Sequence, residues 1–98
     1  MAETADKRRC VRVSVEGTVQ GVGYRYWTER TATGLDLTGW VRNRRDGSVE
    51  ALFCGDTSDV AEMLQRCHDG PRSAQVTAVR ILEEGLPVPD DFAILPTA

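Results

Sequence analysis

Three glycines fall within residues 17 to 23 of the stretch "GTVQGVGYR", which ends on Arg25. This combination could hold an anion. Glycine reaches positive φ without steric penalty, so backbone N–H groups around Gly21 and Gly23 could turn inward on one oxyanion. The segment joins alternating valines to a helix-compatible stretch, where a helix start leaves its first amides unpartnered. Arg25 then stands in the first turn, where a cation opposes the helix dipole at about 0.3–1 kcal/mol. A bound phosphate would resolve that conflict by accepting the loop amides and pairing with the guanidinium. No Gly-Lys-Ser/Thr follows and the GxGxxG spacing is absent, so this is neither a Walker loop nor a dinucleotide fingerprint. The same features fit a plain strand-to-helix turn with an exposed arginine, and pattern alone leaves both readings open.

Asn43 is the second residue that could carry chemistry. Asparagine is a poor strand former, yet it falls on the same face as Leu37 and Val41. A polar amide there could orient a water against a phosphorus atom; it could equally end a strand before a turn. His68 reads as a helix-terminal residue and Asp90-Asp91 as solvated loop acids. Three cysteines, Cys10, Cys54 and Cys67, lack CxxC spacing, and with a single histidine they support no metal site. The odd count predicts no disulfide scaffold and a reducing, cytoplasmic setting.

The elements that must position these groups are readable from periodicity. "CVRVSVEG" alternates with period two, a half-buried strand. "YRYWTERTATGL" has helical spacing in Tyr24, Trp27, Thr28, Thr31, Ala32 and Leu35, with Gly34 as its stop signal. "LTGWVRNRRDGSVEALFCG" predicts two strands around a type I′ turn at Asp46-Gly47, with Trp40, Arg42 and Arg44 sharing the face opposite Asn43. "DTSDVAEMLQRCHDG" places Val60, Met63, Leu64 and Cys67 on one helical face, with Asp59–Glu62 resembling a capping box and Thr57 or Ser58 as other caps. "QVTAVRILEE" predicts a fourth strand with a bulge between Ala78 and Val79, and "FAIL" a short last strand. The order β-α-β-β-α-β implies an α+β, ferredoxin-like split β-α-β sandwich: an antiparallel sheet with two helices on one face. That fold hosts many functions and selects none.

With 98 residues, 41% hydrophobic and 28% charged, the chain has the makings of one domain, expected over residues 10–98 behind a flexible tail at 1–9. No apolar run is long enough to span a membrane. A net charge of −3 argues against a general nucleic-acid surface. Arg25, Arg42, Arg44 and Arg45 nevertheless gather in sequence, which suits a small anion better than a polymer. Trp40 beside Arg42 and Arg44 would be thin support for an RNA-stacking face.

Together, "GTVQGVGYR" and "GWVRNRRDGSVEA" resemble the two signatures of the acylphosphatase family, G-x-V-Q-G-V-x-[FY]-R and G-[FYW]-V-x-N-x-x-D-G-x-V-E. The resemblance extends over roughly residues 10 to 95, with Tyr24 standing where phenylalanine is commoner. It implies hydrolysis of acyl phosphates to a carboxylate and inorganic phosphate, with no metal and no cofactor. Carried onto this chain, it places the phosphate on the amides of Gln20, Gly21, Val22, Gly23, Tyr24 and Arg25, with Arg25 as the binding cation and Asn43 positioning the attacking water. The partners expected are a small acyl phosphate and its phosphate product, with no nucleic acid, no membrane and a monomeric chain. A phosphate sensor without turnover is the alternative.

Overall fold

The computed structural model describes residues 7–98. Five strands and two helices follow in the order β1 (Arg8–Thr18), α1 (Tyr24–Gly34), β2 (Thr38–Asn43), β3 (Val49–Asp56), α2 (Thr57–Cys67), β4 (Gln75–Glu84) and β5 (Phe92–Ile94). Of the tail expected over residues 1–9, residues 1–6 lie outside the described part, and Arg8 and Arg9 belong to β1 instead.

The sheet order is β4-β1-β3-β2-β5. Its first four strands pair antiparallel, as the β-α-β-β-α-β order requires, but β5 adds to the β2 edge in parallel. The sheet is therefore mixed rather than antiparallel throughout. Three residues are too few to announce a direction in sequence. β5 is fixed by Leu95 N–H donating to Val41 O (2.9 Å) and by the stacking of Phe92 on Phe53, with centroids 6.0 Å apart.

Alternation sorts the two sheet faces. Val11, Val13 and Val15 of β1, Val41 of β2, and Val49, Ala51 and Phe53 of β3 are buried against both helices. Helix α1 presents Tyr24, Thr28 and Ala32 to this core, and α2 presents Val60, Met63 and Cys67. The helical spacing read from sequence thus selects the buried stripes. The termini differ in detail. Helix α2 is capped by Asp56, whose side chain accepts from Ser58 N–H, not by Thr57, Ser58 or Asp59. Helix α1 ends at Gly34 as the sequence predicts, but Gly34 is not the left-handed residue of its terminus. It ends in a Schellman arrangement with Asp36 at φ 60°, Leu37 N–H donating to Ala32 O and Asp36 N–H to Thr33 O.

The β2–β3 connection is a three-residue loop, not the two-residue type I′ turn expected. Arg44 N–H donates to Ser48 O and Gly47 N–H to Arg44 O, with positive φ at Gly47 but not at Asp46. The carboxylate of Asp46 accepts from Ser48 N–H and Oγ, which stabilises the local bend without a second positive φ. In β4 the register slips at two places, one beside Thr77 and one beside Leu82, rather than between Ala78 and Val79.

The face away from the helices carries charge around one buried acid. Glu50 is 2% exposed and accepts from Arg12 (2.7 Å), Arg42 (2.8 Å) and Arg44 (3.1 Å). On the same face the antiparallel register sets Cys10 directly opposite Cys54, and the two form a disulfide. This departs from the expectation of no disulfide scaffold. The pairing of residues 44 apart follows from strand register, which an odd cysteine count cannot reveal. Cys67 is free and buried, and burial pushes its thiol up to about 12.

Burial works to raise the Glu50 pKa, but the hydrogen bonds from Arg42, Arg12 and Arg44 outweigh it and hold the carboxyl below its usual range. A carboxyl with a lowered folded pKa stabilises the fold above its unfolded pKa of about 4.3, and that contribution is lost as pH falls through the folded value. Glu50→Gln should lower stability at neutral pH by about 1–3 kcal/mol and flatten the acid limb of the stability profile. Urea unfolding between neutral pH and pH 3 checks both effects, and an unaltered acid limb would remove Glu50 as its source.

Candidate active site

The segment between β1 and α1 takes its shape from two left-handed glycines, Gly21 at φ 74° and Gly23 at φ 80°. A Cβ at either position would meet nothing within 4 Å, so glycine is demanded here by the backbone angle and not by space. Gly23 is also the N-cap of α1, makes no side-chain capping bond, and precedes a first turn without an acid. Among the described residues, none of the amides of residues 20–25 donates to a backbone carbonyl. The helix start is thus electropositive and its donors are unspent.

Three contacts hold this open segment. Gln20 Nε2 donates to Arg44 O (2.7 Å) and to Ser48 O (2.9 Å), joining the segment to the β2–β3 loop. Val19 is buried in the core and Val22 packs against it. Tyr24 is buried, and its hydroxyl donates to Cys67 O at the end of α2 (2.7 Å). Burial, with the neighbouring Cys67, pushes the Tyr24 phenol far above its ordinary value, so it stays protonated.

A pocket of about 260 Å³ opens over this segment, lined by Val19, Gly21, Gly23, Tyr24, Arg25, Tyr26, Asn43 and Ile94. Arg25 and Asn43, 18 positions apart in sequence, therefore face one space. Asn43 arrives there because it ends β2 on the same face as buried Val41. Of the candidate loop residues, Gly21, Gly23, Tyr24 and Arg25 line the pocket. Gln20 and Val22 do not: the side chain of Gln20 is spent on the β2–β3 loop and that of Val22 on the core. No aspartate, glutamate or histidine is among the lining residues, and among the described residues no three potential metal ligands cluster.

The sequence cluster of arginines is divided by the fold. Arg42 and Arg44 bond Glu50 on the opposite sheet face, with Arg42 also 4.9 Å over the Trp40 ring. Arg45 is exposed in the turn and donates its N–H to Ala98 O. Arg25 remains at the pocket, and among the described residues no carboxylate pairs with it. Tyr26 and Ile94 were not singled out from sequence. Tyr26 could have been, as an aromatic directly following Arg25, whereas Ile94 reaches the pocket only through the parallel pairing of β5 with β2.

The acylphosphatase family model matches residues 11–94. An acylphosphatase of Nitrobacter hamburgensis is 59% identical over 68 residues, 69% of each chain. One of Mesorhizobium japonicum is 48% identical over 91 residues, covering 92% of this chain and 97% of its own. The solved structure of an acylphosphatase from Coxiella burnetii superimposes with a TM-score of 0.88 at 33% identity, over 97% of this chain and all of that one. The fold is therefore that of a ferredoxin-like hydrolase. The chain is a member of the acylphosphatase family.

Because only φ constrains Gly23, Gly23→Ala should strain the segment by about 1–2 kcal/mol. Gly34, the last residue of α1, has ordinary φ and open space around it, so Gly34→Ala should stabilise by about 0.5–1 kcal/mol. Urea midpoints of the two variants should move in opposite directions.

Proposed function

We propose that the pocket hydrolyses acyl phosphates without a metal, holding the phosphoryl group on the loop amides and Arg25 while Asn43 aligns water. The observation that carries this reading is the meeting of Arg25, the two left-handed glycines and Asn43 around one space at an uncapped helix start. In the reaction the water oxygen forms a bond to phosphorus as the phosphorus–oxygen bond to the acyl group breaks. The bonding pair leaves on a carboxylate, and the water protons stay with the phosphate product.

A carboxylate is a good leaving group, so no general acid is compulsory. Transfer of this kind depends chiefly on in-line placement and on stabilising the equatorial phosphoryl oxygens. Fixed amide donors with one guanidinium match that demand, in the manner of an oxyanion hole. Arg25 offers a planar fork of donors to those oxygens. Asn43 can accept from the water with its carbonyl oxygen and donate with its amide nitrogen, which orients the nucleophile without titrating. No carboxylate or histidine lines the pocket, so a phosphoryl oxygen of the substrate is the proton acceptor this reading favours.

Acetyl phosphate with excess EDTA near neutral pH should be consumed far faster than in buffer. A rate equal to buffer would end the enzyme reading in favour of a phosphate sensor, and loss of activity with EDTA would end the metal-free mechanism. Arg25→Gln should raise KM and lower kcat together. Asn43→Ala should lower kcat about 10²-fold or more while phosphate inhibition stays nearly unchanged. Full activity in Asn43→Ala would remove its water-positioning role.

A further inference from the structure

A phosphoryl group has no use for an apolar wall, yet two exposed apolar side chains flank the pocket. Tyr26 is 60% exposed and Ile94 41% exposed, and both are lining residues. Beyond Tyr26 lies a second depression of about 400 Å³, which shares Gly23 and Tyr26 with the first and continues over Trp27, Arg30, Thr31 and Pro71. The two are adjacent, so a molecule bound by its phosphate at Gly23 can extend past Tyr26 along helix α1.

The chemistry of that route is specific. Tyr26 and Trp27 offer ring surface, and Pro71 adds a rigid apolar edge. The Arg30 guanidinium lies 5.5 Å from the Tyr26 ring centroid, and among the described residues no carboxylate pairs with it. Stacking on Tyr26 holds the planar cation against the groove. A cation held this way, with its charge uncompensated by protein, suits a ligand carboxylate at the far end of an apolar group.

We infer that the depression over Tyr26, Trp27, Arg30 and Pro71 is the acyl subsite, and that it favours a flat aromatic acyl group bearing a second carboxylate that reaches Arg30. This rests on the proposed function for the identity of the phosphate end. The aromatic ring would cover Tyr26, which otherwise faces water, and the remote carboxylate would neutralise Arg30. Short acyl groups would occupy the phosphate pocket alone and gain neither contact.

Acylphosphonates, whose carbon–phosphorus bond is not hydrolysed as an acyl phosphate is, separate binding from turnover. By calorimetry, benzoylphosphonate should bind about tenfold tighter than acetylphosphonate, and 4-carboxybenzoylphosphonate several-fold tighter again. Tyr26→Ala should erase the benzoyl advantage and Tyr26→Phe should keep it. Arg30→Gln should erase only the added gain from the ring carboxylate. Equal binding of the three analogues, or an equal proportional loss for all of them in Tyr26→Ala, would overturn the subsite. Failure of acetyl phosphate to turn over, with the analogue ranking intact, would instead count against the enzyme reading alone.

Discussion

The side-chain amide of Gln20 is the tie on which the geometry of the site rests. Its nitrogen donates to the carbonyls of Arg44 and Ser48, and each of these already accepts one backbone N–H of the β2–β3 loop. A single NH2 group thus uses the lone pairs that this loop leaves open. It sets the glycine segment at a fixed distance from the strand end that carries Asn43. Glutamate could not serve, since an ionised carboxylate has no donor to offer two carbonyls. Gln20 is therefore better read as a positioning residue whose backbone, not side chain, is free for a ligand.

That tie matters because the segment cannot hold itself. Its amides are unspent, two of its residues are left-handed, and its helix start lacks a cap. Any internal hydrogen bond that stabilised it would consume a donor that the proposed reaction needs. Order has to be imported, from Gln20 on one side, from Val19 and Val22 beneath, and from the Tyr24 hydroxyl on α2. The opposite sheet face takes up the remaining charge. Glu50 draws in Arg42 and Arg44, so these two cations close in sequence to Asn43 are held on the opposite face. Among the lining residues of the pocket, Arg25 is the one cation, beside the helix terminus.

Much of this was legible in the chain. The valine alternation of β1, the i, i+3, i+4, i+7 stripe of α2 and the two glycine-bearing motifs report local periodicities and fixed spacings, and the structure uses them directly. What escaped was set by register between distant segments. The pairing of Cys10 with Cys54, the parallel seating of β5 and the arrival of Ile94 at the pocket each depend on which strands become neighbours. The division of the arginines escaped for a related reason: alternation placed Arg42 and Arg44 on one face, but only the β2–β3 register set buried Glu50 beside them. The smaller misses, the left-handed residue of the α1 terminus at Asp36 and the cap of α2 at Asp56, come from close competitors for one terminal position.

On the proposed reading, the lining of the pocket explains why so few polar groups would suffice. An acid–base mechanism needs side chains whose pKa values are tuned, and tuning requires burial beside chosen charges. Here the lining offers glycine backbone, Arg25, Asn43 and apolar walls, with no aspartate, glutamate or histidine among them. For a leaving group as weakly basic as a carboxylate, placement replaces proton transfer as the limiting requirement. Placement is what a five-stranded sheet with a buried apolar face supplies well, since close-packed interiors resist small displacements. The open, unpaired segment and the packed sheet beneath it are then two halves of one arrangement: the first can leave its donors unpaired because the second supplies the order it lacks.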